Sequence, residues 1–214
     1  MRTALAIGLI LASSAGELRA AELRGAIYDW SGLYVGAHAG KSWGETGNSW
    51  RNTVTPWSPD GDISYDNTAA GLHVGYMWQQ GWLAYGLEGD ITWASLKGND
   101  GQIATLLNVA EMNYFSTIRA RAGVVYGNAL LFATAGIAFG EITKKDLTSN
   151  LSNSNDLVGW SIGGGMEYAF SAGLRARVEY QYIDFGSVVS GLAYDHRADD
   201  LDIQSVRGGL SYGF

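Results

Sequence analysis

The chain has 214 residues, no cysteine and a formal net charge of −7, from 14 Lys and Arg against 21 Asp and Glu. The lack of cysteine excludes a disulfide framework and thiolate chemistry, and the acidic balance argues against nucleic-acid binding. The 30 glycines, 8 Trp, 12 Tyr and 6 Phe suit strands that curve around a narrow barrel with aromatic girdles.

The first 20 residues have the order of an export signal. Arg2 supplies a positive start, residues 4–12 an apolar run, and residues 13–20 a stretch of small residues. The apolar run is far shorter than the roughly 20 residues that a membrane-spanning helix needs. We place cleavage after Ala20, with Ala15 as the alternative. The expected signal peptide therefore covers residues 1–20.

Eight segments of alternating hydrophobicity follow, each close to the roughly 9 to 11 residues that a tilted strand needs to cross a bilayer. They cover approximately 33–43, 68–78, 82–93, 113–126, 129–140, 157–170, 173–185 and 203–214. In the third and fourth segments the charged residues fall on the smaller, more polar face: Glu88, Asp90, Arg119 and Arg121. A soluble barrel needs the reverse arrangement. The pattern predicts an all-β, eight-stranded antiparallel transmembrane up-and-down barrel.

The links between these segments alternate strictly in length. Those after the second, fourth and sixth segments are short, at 79–81, 127–128 and 171–172. Those after the first, third, fifth and seventh are long, at 44–67, 94–112, 141–156 and 186–202. Outer-membrane barrels have short periplasmic turns and long external loops, so we expect both termini on the periplasmic side. The expected domains are then a signal peptide over residues 1–20, a periplasmic lead-in over 21–32 and an outer-membrane barrel over 33–214, and we expect no further domain after Phe214.

Five spaced motifs are similar to those of a known family: Trp30–Ala37, Gly86–Asp90, Ile118–Gly123, Val178–Tyr182 and the closing Val206–Phe214. They resemble the opacity-related, OmpA-like family of small surface-antigen barrels, often called porin-family proteins. The resemblance covers essentially the whole mature chain. It implies an abundant eight-stranded protein of the Gram-negative outer membrane that contributes to envelope integrity and surface interactions, with no enzyme chemistry and no cofactor.

The resemblance also implies partners. The terminal aromatic strand, ending on Tyr212 and Phe214, is the signal that barrel-assembly machinery recognises in such proteins. Outer-membrane lipid and lipopolysaccharide are expected around the apolar wall, and extracellular partners of unknown identity at the loops. Nucleic acid is not expected.

The inward charges have their own interpretation. If Glu88 lies opposite Arg121 and Asp90 opposite Arg119, the four side chains form a cross-strand ladder of ion pairs. The polar lining continues through the later segments with Glu167, Arg175, Arg177, Glu179 and Arg207. The alternative is a pair of carboxylates acting as acid and base, but neighbouring arginines would keep both ionised. An eight-stranded lumen leaves little room for substrate, although a narrow ion or water path stays open as an alternative.

Two histidines fall on the inward faces of the first two segments. Counting back from the first external loop places His38 opposite His73 and Gly40 opposite Gly71. Two facing imidazoles can ligate a transition metal or a haem iron. Because these faces carry no acidic residue or third histidine, we favour a hydrogen-bonded pair sensitive to mild acid, and expect no bound metal.

Two external loops contain patterns with weaker chemical meaning. The first has the oxygen spacing of a calcium loop, but Tyr65 and Gly71 occupy the positions that need glycine and glutamate. Its oxygen-bearing residues are Asp60, Asp62, Ser64 and Asp66. The last loop contains His196 among Asp195, Arg197, Asp199 and Asp200, without a serine nucleophile motif. We expect solvated acidic loops at both places, with enzyme activity as a minor alternative.

The sequence therefore supports two main hypotheses. The first is a structural and surface-interaction barrel with a lumen filled by paired charges. The second is a transport protein, either a narrow pore or a barrel that binds and takes up a small ligand such as haem or a metal.

Overall fold

The computed structural model describes residues 28–51, 58–98, 108–146, 151–170, 173–186, 188–191, 195–199 and 201–214. It contains ten strands: β1 Gly32–Arg51, β2 Ser58–Gln80, β3 Leu83–Gly98, β4 Asn108–Tyr126, β5 Ala129–Asp146, β6 Leu151–Ala169, β7 Leu174–Asp184, β8 Val188–Gly191, β9 Asp195–Asp199 and β10 Asp202–Gly213. Among these residues, no helix has the length and apolar character needed to span a bilayer.

Strands β1 to β7 and β10 form a closed barrel. Each pairs antiparallel with its neighbour along the chain, and β10 pairs with β1 to close the wall. Hydrophobicity alternates across this wall as predicted, because Leu87 is 55% exposed on the outside whereas the adjacent Glu88 is 1% exposed in the lumen. The predicted all-β, eight-stranded antiparallel barrel is confirmed.

Two periplasmic turns are tight and contain glycine in the left-handed region. Gly81 has φ 62° and Gly127 has φ 58°, and a Cβ at either position would meet no other atom within 4 Å. Only the backbone conformation therefore favours glycine there. The two turns lie where short links were predicted. The third short link, at 171–172, lies outside the described residues.

The external part of the barrel differs from the sequence prediction. The expected loop 44–67 is mostly strand, because β1 continues to Arg51 and β2 begins at Ser58, with a bulge between Asn48 and Ser49. The last expected loop contains the hairpin of β8 and β9, and β9 pairs with β1. Antiparallel pairing satisfies the backbone N–H and C=O groups of polar segments as well as those of the alternating segments. The strands therefore continue into residues that the sequence predicted to be loops.

The predicted registers of the inward residues are wrong by two positions. Glu88 lies opposite Arg119, not Arg121, and Asp90 lies opposite Thr117. His38 likewise lies opposite Gly71, with Gly36 opposite His73. Because the side-chain period of a strand is two, a shift of two residues leaves every side chain on its predicted face. The pattern of hydrophobicity therefore fixes the face but not the partner.

Candidate functional site

The lumen consists of three layers. The outer apolar layer, near the external end, contains Ala69, Ala94, Phe115, Ala138, Leu157, Ile183, Phe185, Leu201 and Ile203. The inner apolar layer, near the periplasmic turns, contains Trp30, Tyr34, Met77, Ala84, Val125, Leu130, Phe132 and Ala169. The ionic layer contains the nine buried charged residues that the sequence placed in the lumen: Glu88, Asp90, Glu167, Glu179, Arg119, Arg121, Arg175, Arg177 and Arg207. Charge is thus buried in the lumen and bounded by apolar side chains.

Glu88 is the centre of the ionic layer. Its Oε1 lies 2.6 Å from Arg119 Nη2, and its Oε2 lies 2.5 Å from Arg177 Nη1. The hydroxyl of Tyr34 donates to the same Oε2 at 2.7 Å, and Arg121 Nη1 lies 3.8 Å away. A buried carboxylate with this many donors is held ionised and fixed in position. It is therefore not free to exchange a proton with a substrate.

Glu179 and Asp90 form a second group of ion pairs with shared arginines. Arg207 Nη2 lies 3.1 Å from Glu179 Oε2, while its Nη1 lies 3.1 Å from Asp90 Oδ1. Arg119 pairs with both carboxylates, at 3.3 Å from Asp90 Oδ2. Arg177 Nη2 lies 3.7 Å from Glu179 Oε2. Together with the contacts of Glu88, these pairs cross-link β3, β4, β7 and β10 through the lumen.

Arg121 extends the network towards the inner apolar layer. It pairs with Glu167, and the other oxygen of that carboxylate accepts a hydrogen bond from Ser211 Oγ at 3.2 Å. The guanidinium also lies 3.8 Å from the ring centroid of Phe132, at a distance typical of a cation–π contact. Charged and apolar groups therefore pack against each other without a gap at this level of the lumen.

The lead-in segment enters the periplasmic mouth of the barrel. Trp30 is fully buried, and its backbone N–H donates to Gln79 Oε1 at 2.8 Å. The Gln79 N–H in turn donates to Ser31 Oγ at 3.1 Å, and the Tyr28 N–H donates to the carbonyl of Gly127 at 3.3 Å. The segment thus contacts two different periplasmic turns. The last residues of the predicted lead-in therefore plug the periplasmic mouth of the barrel. The sequence did not indicate this role.

Arg175 connects this plug to the wall. Its guanidinium carbon lies 4.9 Å from the ring of Trp30, 5.4 Å from Tyr28 and 5.6 Å from Tyr34, and Nε donates to the Tyr28 hydroxyl at 3.3 Å. Beside it, Asp29 accepts a hydrogen bond from the backbone N–H of Ser31 at 2.9 Å, which lowers the pKa of the Asp29 carboxyl below its usual value. The periplasmic end is therefore closed by aromatic rings around a cation.

His38 and His73 lie side by side in the lumen, as the sequence suggested. Their Nδ1 atoms are 3.4 Å apart, the ring centroids are 5.6 Å apart and the ring planes differ by 25°. The two centroids are farther apart than the two nitrogens by about one ring radius for each ring. Each Nδ1 atom therefore lies on the side of its ring that faces the other ring, and the two Nδ1 atoms point at each other. His38 Nε2 lies 3.0 Å from Thr92 Oγ1 and 3.4 Å from Arg207 Nη1.

This geometry suits a shared proton better than a metal ion. A tetrahedral metal at the usual bond length of about 2.1 Å holds two ligand nitrogens roughly 3.4 Å apart, but it lies off the line between them, whereas these two Nδ1 atoms point at each other. Within the described part of the chain, no group of three His, Cys, Asp or Glu residues is arranged to hold a metal. A cavity lined in part by His38, Ser42, Ser205 and Arg207 has a volume of about 10 Å³, room for roughly one water and far too small for haem.

Comparison with known proteins identifies the family. A family model described as outer membrane protein beta-barrel domain matches residues 4–214. The chain belongs to this family of outer-membrane β-barrel proteins. A 25 kDa outer-membrane immunogenic protein of Brucella abortus is 33% identical over 190 residues, which cover 87% of this chain and 80% of the relative. A 22 kDa outer membrane protein of Rhizobium leguminosarum is 29% identical over 185 residues, covering 86% and 78%.

Solved structures confirm the fold of this outer-membrane β-barrel protein. OprG of Pseudomonas aeruginosa has a TM-score of 0.60 at 14% identity, covering 86% of this chain and 97% of that one. The outer membrane protease OmpT of Escherichia coli has a TM-score of 0.51 at 8% identity, with the same coverage. At such identities the likeness extends to the fold alone. The relatives and the family model together place the barrel in the outer membrane.

The outer wall carries the aromatic residues expected of an outer-membrane β-barrel protein at two membrane interfaces. Exposed examples are Trp93, Tyr114, Phe139 and Trp160 near the external side, and Trp78, Trp82, Tyr126, Phe170, Tyr212 and Phe214 near the periplasmic side. Phe214 is 72% exposed, and its backbone N–H donates to the carbonyl of Leu33 at 2.8 Å. The terminal aromatic residue therefore lies on the lipid-facing wall at the closing seam.

The weaker loop candidates are strand residues or lie outside the described side chains. The four oxygen-bearing residues between Asp60 and Asp66 belong to β2, not to a loop. Asp195 to Asp199 form β9, and Asp200 lies outside the described residues. Conversely, sequence reasoning missed Tyr34 and Trp30 as lumen residues in contact with the charges. Tyr34 lies an even number of residues from His38 and so shares its inward face, which was the available signal. Trp30 precedes the first strand, so the strand pattern gave no signal for it.

Proposed function

We propose that this outer-membrane β-barrel protein is a structural and surface-interaction protein with a sealed, non-catalytic lumen. The observation that carries the proposal is the enclosure of the ionic layer between the two apolar layers. Solvated ions avoid such apolar constrictions, and the four buried carboxylates of the ionic layer are already paired with arginines. The barrel thus acts as a rigid support for its external strands.

The environment of the carboxylates supports the absence of catalysis. A general acid or base needs a proton-exchanging group within reach of a substrate. Glu88, Glu179 and Asp90 are instead held by guanidinium groups and almost completely buried. The fold shared with a protease carries no argument for an enzyme here, since chemistry resides in particular sites and not in the fold.

The proposed partners follow from the outer wall and the external strands. The apolar wall would contact membrane lipid and lipopolysaccharide, and the terminal aromatics Tyr212 and Phe214 would be read by the barrel-assembly machinery. The strands that extend beyond the aromatic residues offer a surface to extracellular partners. Relatives named immunogenic outer-membrane proteins support this surface role.

A gene deletion tests this role against transport. If the protein supports the envelope, the deletion strain should leak periplasmic protein and become sensitive to large antibiotics, while its uptake of small hydrophilic solutes stays unchanged. Complementation by the wild-type gene should restore resistance. A Tyr212→Ala/Phe214→Ala variant should restore less, because we expect it to be assembled into the membrane less efficiently. Reduced uptake of small solutes with an intact envelope would contradict the proposal and favour a transport function.

A further inference from the structure

The histidine pair lies beside the seam at which the barrel closes. His38 is on β1, which pairs with β10 on one side and with β2 on the other. His73 comes from β2 and Arg207 from β10, so the three side chains join three adjacent strands inside the lumen. A change in their contacts would act on the pairing that completes the barrel.

The contacts of the pair are those of two rings that share one proton. One Nδ1 atom carries a proton and donates it to the other at 3.4 Å, so the accepting ring carries its own proton on Nε2. His38 Nε2 lies 3.0 Å from the Thr92 hydroxyl, which donates to Asp90 Oδ1, and 3.4 Å from Arg207 Nη1, so these two neighbours favour opposite tautomers of His38. His73 Nε2 has no hydrogen-bond partner among the described residues. In both tautomers the neutral pair contains one N–H···N hydrogen bond between β1 and β2.

The two rings have no space in which to move. Each imidazole lies against the glycine opposite it, since a Cβ built on Gly71 would clash with the His38 ring and one built on Gly36 would clash with the His73 ring. The adjoining cavity, beside Arg207 and Ser205, has room for roughly one water. A changed proton pattern therefore has to be accommodated by the strands and not by free rotation of the rings.

Charged groups from three other strands face the pair. Arg177 and Glu179 come from β7, Glu88 and Asp90 from β3, and Arg207 from β10. The three carboxylates already pair with arginines. An added positive charge on the pair would therefore meet two guanidinium groups without gaining a free counter-charge.

We propose that the neutral His38–His73 pair, held by Arg207, locks the closing seam and that protonation in mild acid releases this lock. A further proton on the accepting Nδ1 atom places two N–H groups against each other and breaks the hydrogen bond between β1 and β2. A further proton on a free Nε2 atom instead adds a positive charge that faces Arg177 and Arg207 without a free counter-charge. Both outcomes weaken the contacts of β1 with its neighbours, so the seam weakens as the pH falls. The proposal is independent of whether the lumen conducts.

Unfolding of the refolded protein by urea in lipid vesicles, followed by tryptophan fluorescence and gel mobility, tests the lock at pH 7.5 and 5.5. A histidine that binds a proton only in the unfolded state shifts the unfolding equilibrium about tenfold per pH unit below about 6.5. The wild type should therefore lose roughly ten- to a hundredfold more stability than a His38→Gln/His73→Gln variant, in which neither side chain titrates. The His196→Gln variant is the matched control and should behave as the wild type. Equal shifts in the wild type and the double variant would overturn the proposal.

A spectroscopic measurement covers the case in which the double variant does not fold. The ¹⁵N signals of the wild-type histidine rings at pH 7.5 should show one ring protonated on Nδ1 and another on Nε2, assigned with the single variants His38→Gln and His73→Gln. Both tautomers should persist until the pH at which unfolding begins. Two rings protonated on Nε2, or ring protonation well before any loss of stability, would refute the lock.

Discussion

Glu88 offers the sharpest test of the ionic layer. A Glu88→Gln substitution keeps the shape of the side chain and removes its charge. In the wild type, Arg119 and Arg177 lie 2.6 and 2.5 Å from the Glu88 carboxylate, and the variant leaves both without this partner at the centre of the lumen. The new amide group also presents a donor to guanidinium groups that only donate. We therefore expect the variant to fold into a less stable barrel.

The magnitude follows from the burial of these groups. Removing one partner of a buried ion pair typically costs about 3 to 5 kcal/mol, because the remaining charge loses its compensation in a low dielectric. Arg119 keeps its contacts with Asp90 and Glu179, and Arg177 keeps the longer contact with Glu179, so the lower end of that range applies. A cost of about 3 kcal/mol corresponds to roughly a hundredfold change in the unfolding equilibrium.

Urea unfolding in lipid vesicles measures this change. Glu141→Gln is the matched control, because that carboxylate is on the outer wall, where it accepts a hydrogen bond from the Tyr114 hydroxyl at 3.0 Å. The control should be nearly as stable as the wild type. Adding Arg177→Met to Glu88→Gln should recover part of the lost stability, since it removes one uncompensated charge. A Glu88→Gln variant as stable as the control would refute the account of the ionic layer.

Three further substitutions test the wall, the close packing at the glycines and the periplasmic plug. Gly36→Ala should destabilise the barrel by about 1 to 3 kcal/mol in the urea assay, because the new Cβ would clash with the His73 ring. Gly89→Ala is its control and should change the stability little, because its Cβ would meet only one atom, at 3.9 Å. Leu87→Arg places a charge on the lipid-facing wall and should cost about 2 to 4 kcal/mol in vesicles; equal stability would contradict the assigned face. Trp30→Ala should cost about 3 to 5 kcal/mol in the same urea assay, because it empties the centre of the plug, and an unchanged unfolding midpoint would argue against the plug.

The sequence was sufficient to predict the barrel and the inward face of charged residues such as Glu88. Leu87 and Glu88 show why: lipid on one side and a polar lumen on the other force hydrophobicity to alternate at every residue. The partners were not predictable in the same way. A shift of two residues preserves the alternation, so Glu88 opposite Arg119 and Glu88 opposite Arg121 are equally consistent with the pattern.

The features beyond the alternating segments were the hardest to predict. Trp30 precedes the first strand, and its burial depends on contacts with turns that are distant in sequence. The external parts of β1 and β2 carry polar residues on a pattern typical of loops, yet they pair because each supplies backbone groups to the other. The positions of these residues depend on tertiary contacts that composition does not reveal.

The sealed lumen is the central claim, and planar-bilayer conductance of the refolded protein tests it most directly. Because the ionic layer lies between two apolar layers and the lead-in fills the periplasmic mouth, the wild type should give no reproducible single-channel openings at neutral pH, under conditions in which an open porin conducts. Reproducible openings of defined conductance would contradict the sealed, structural account and establish a transport path through the barrel.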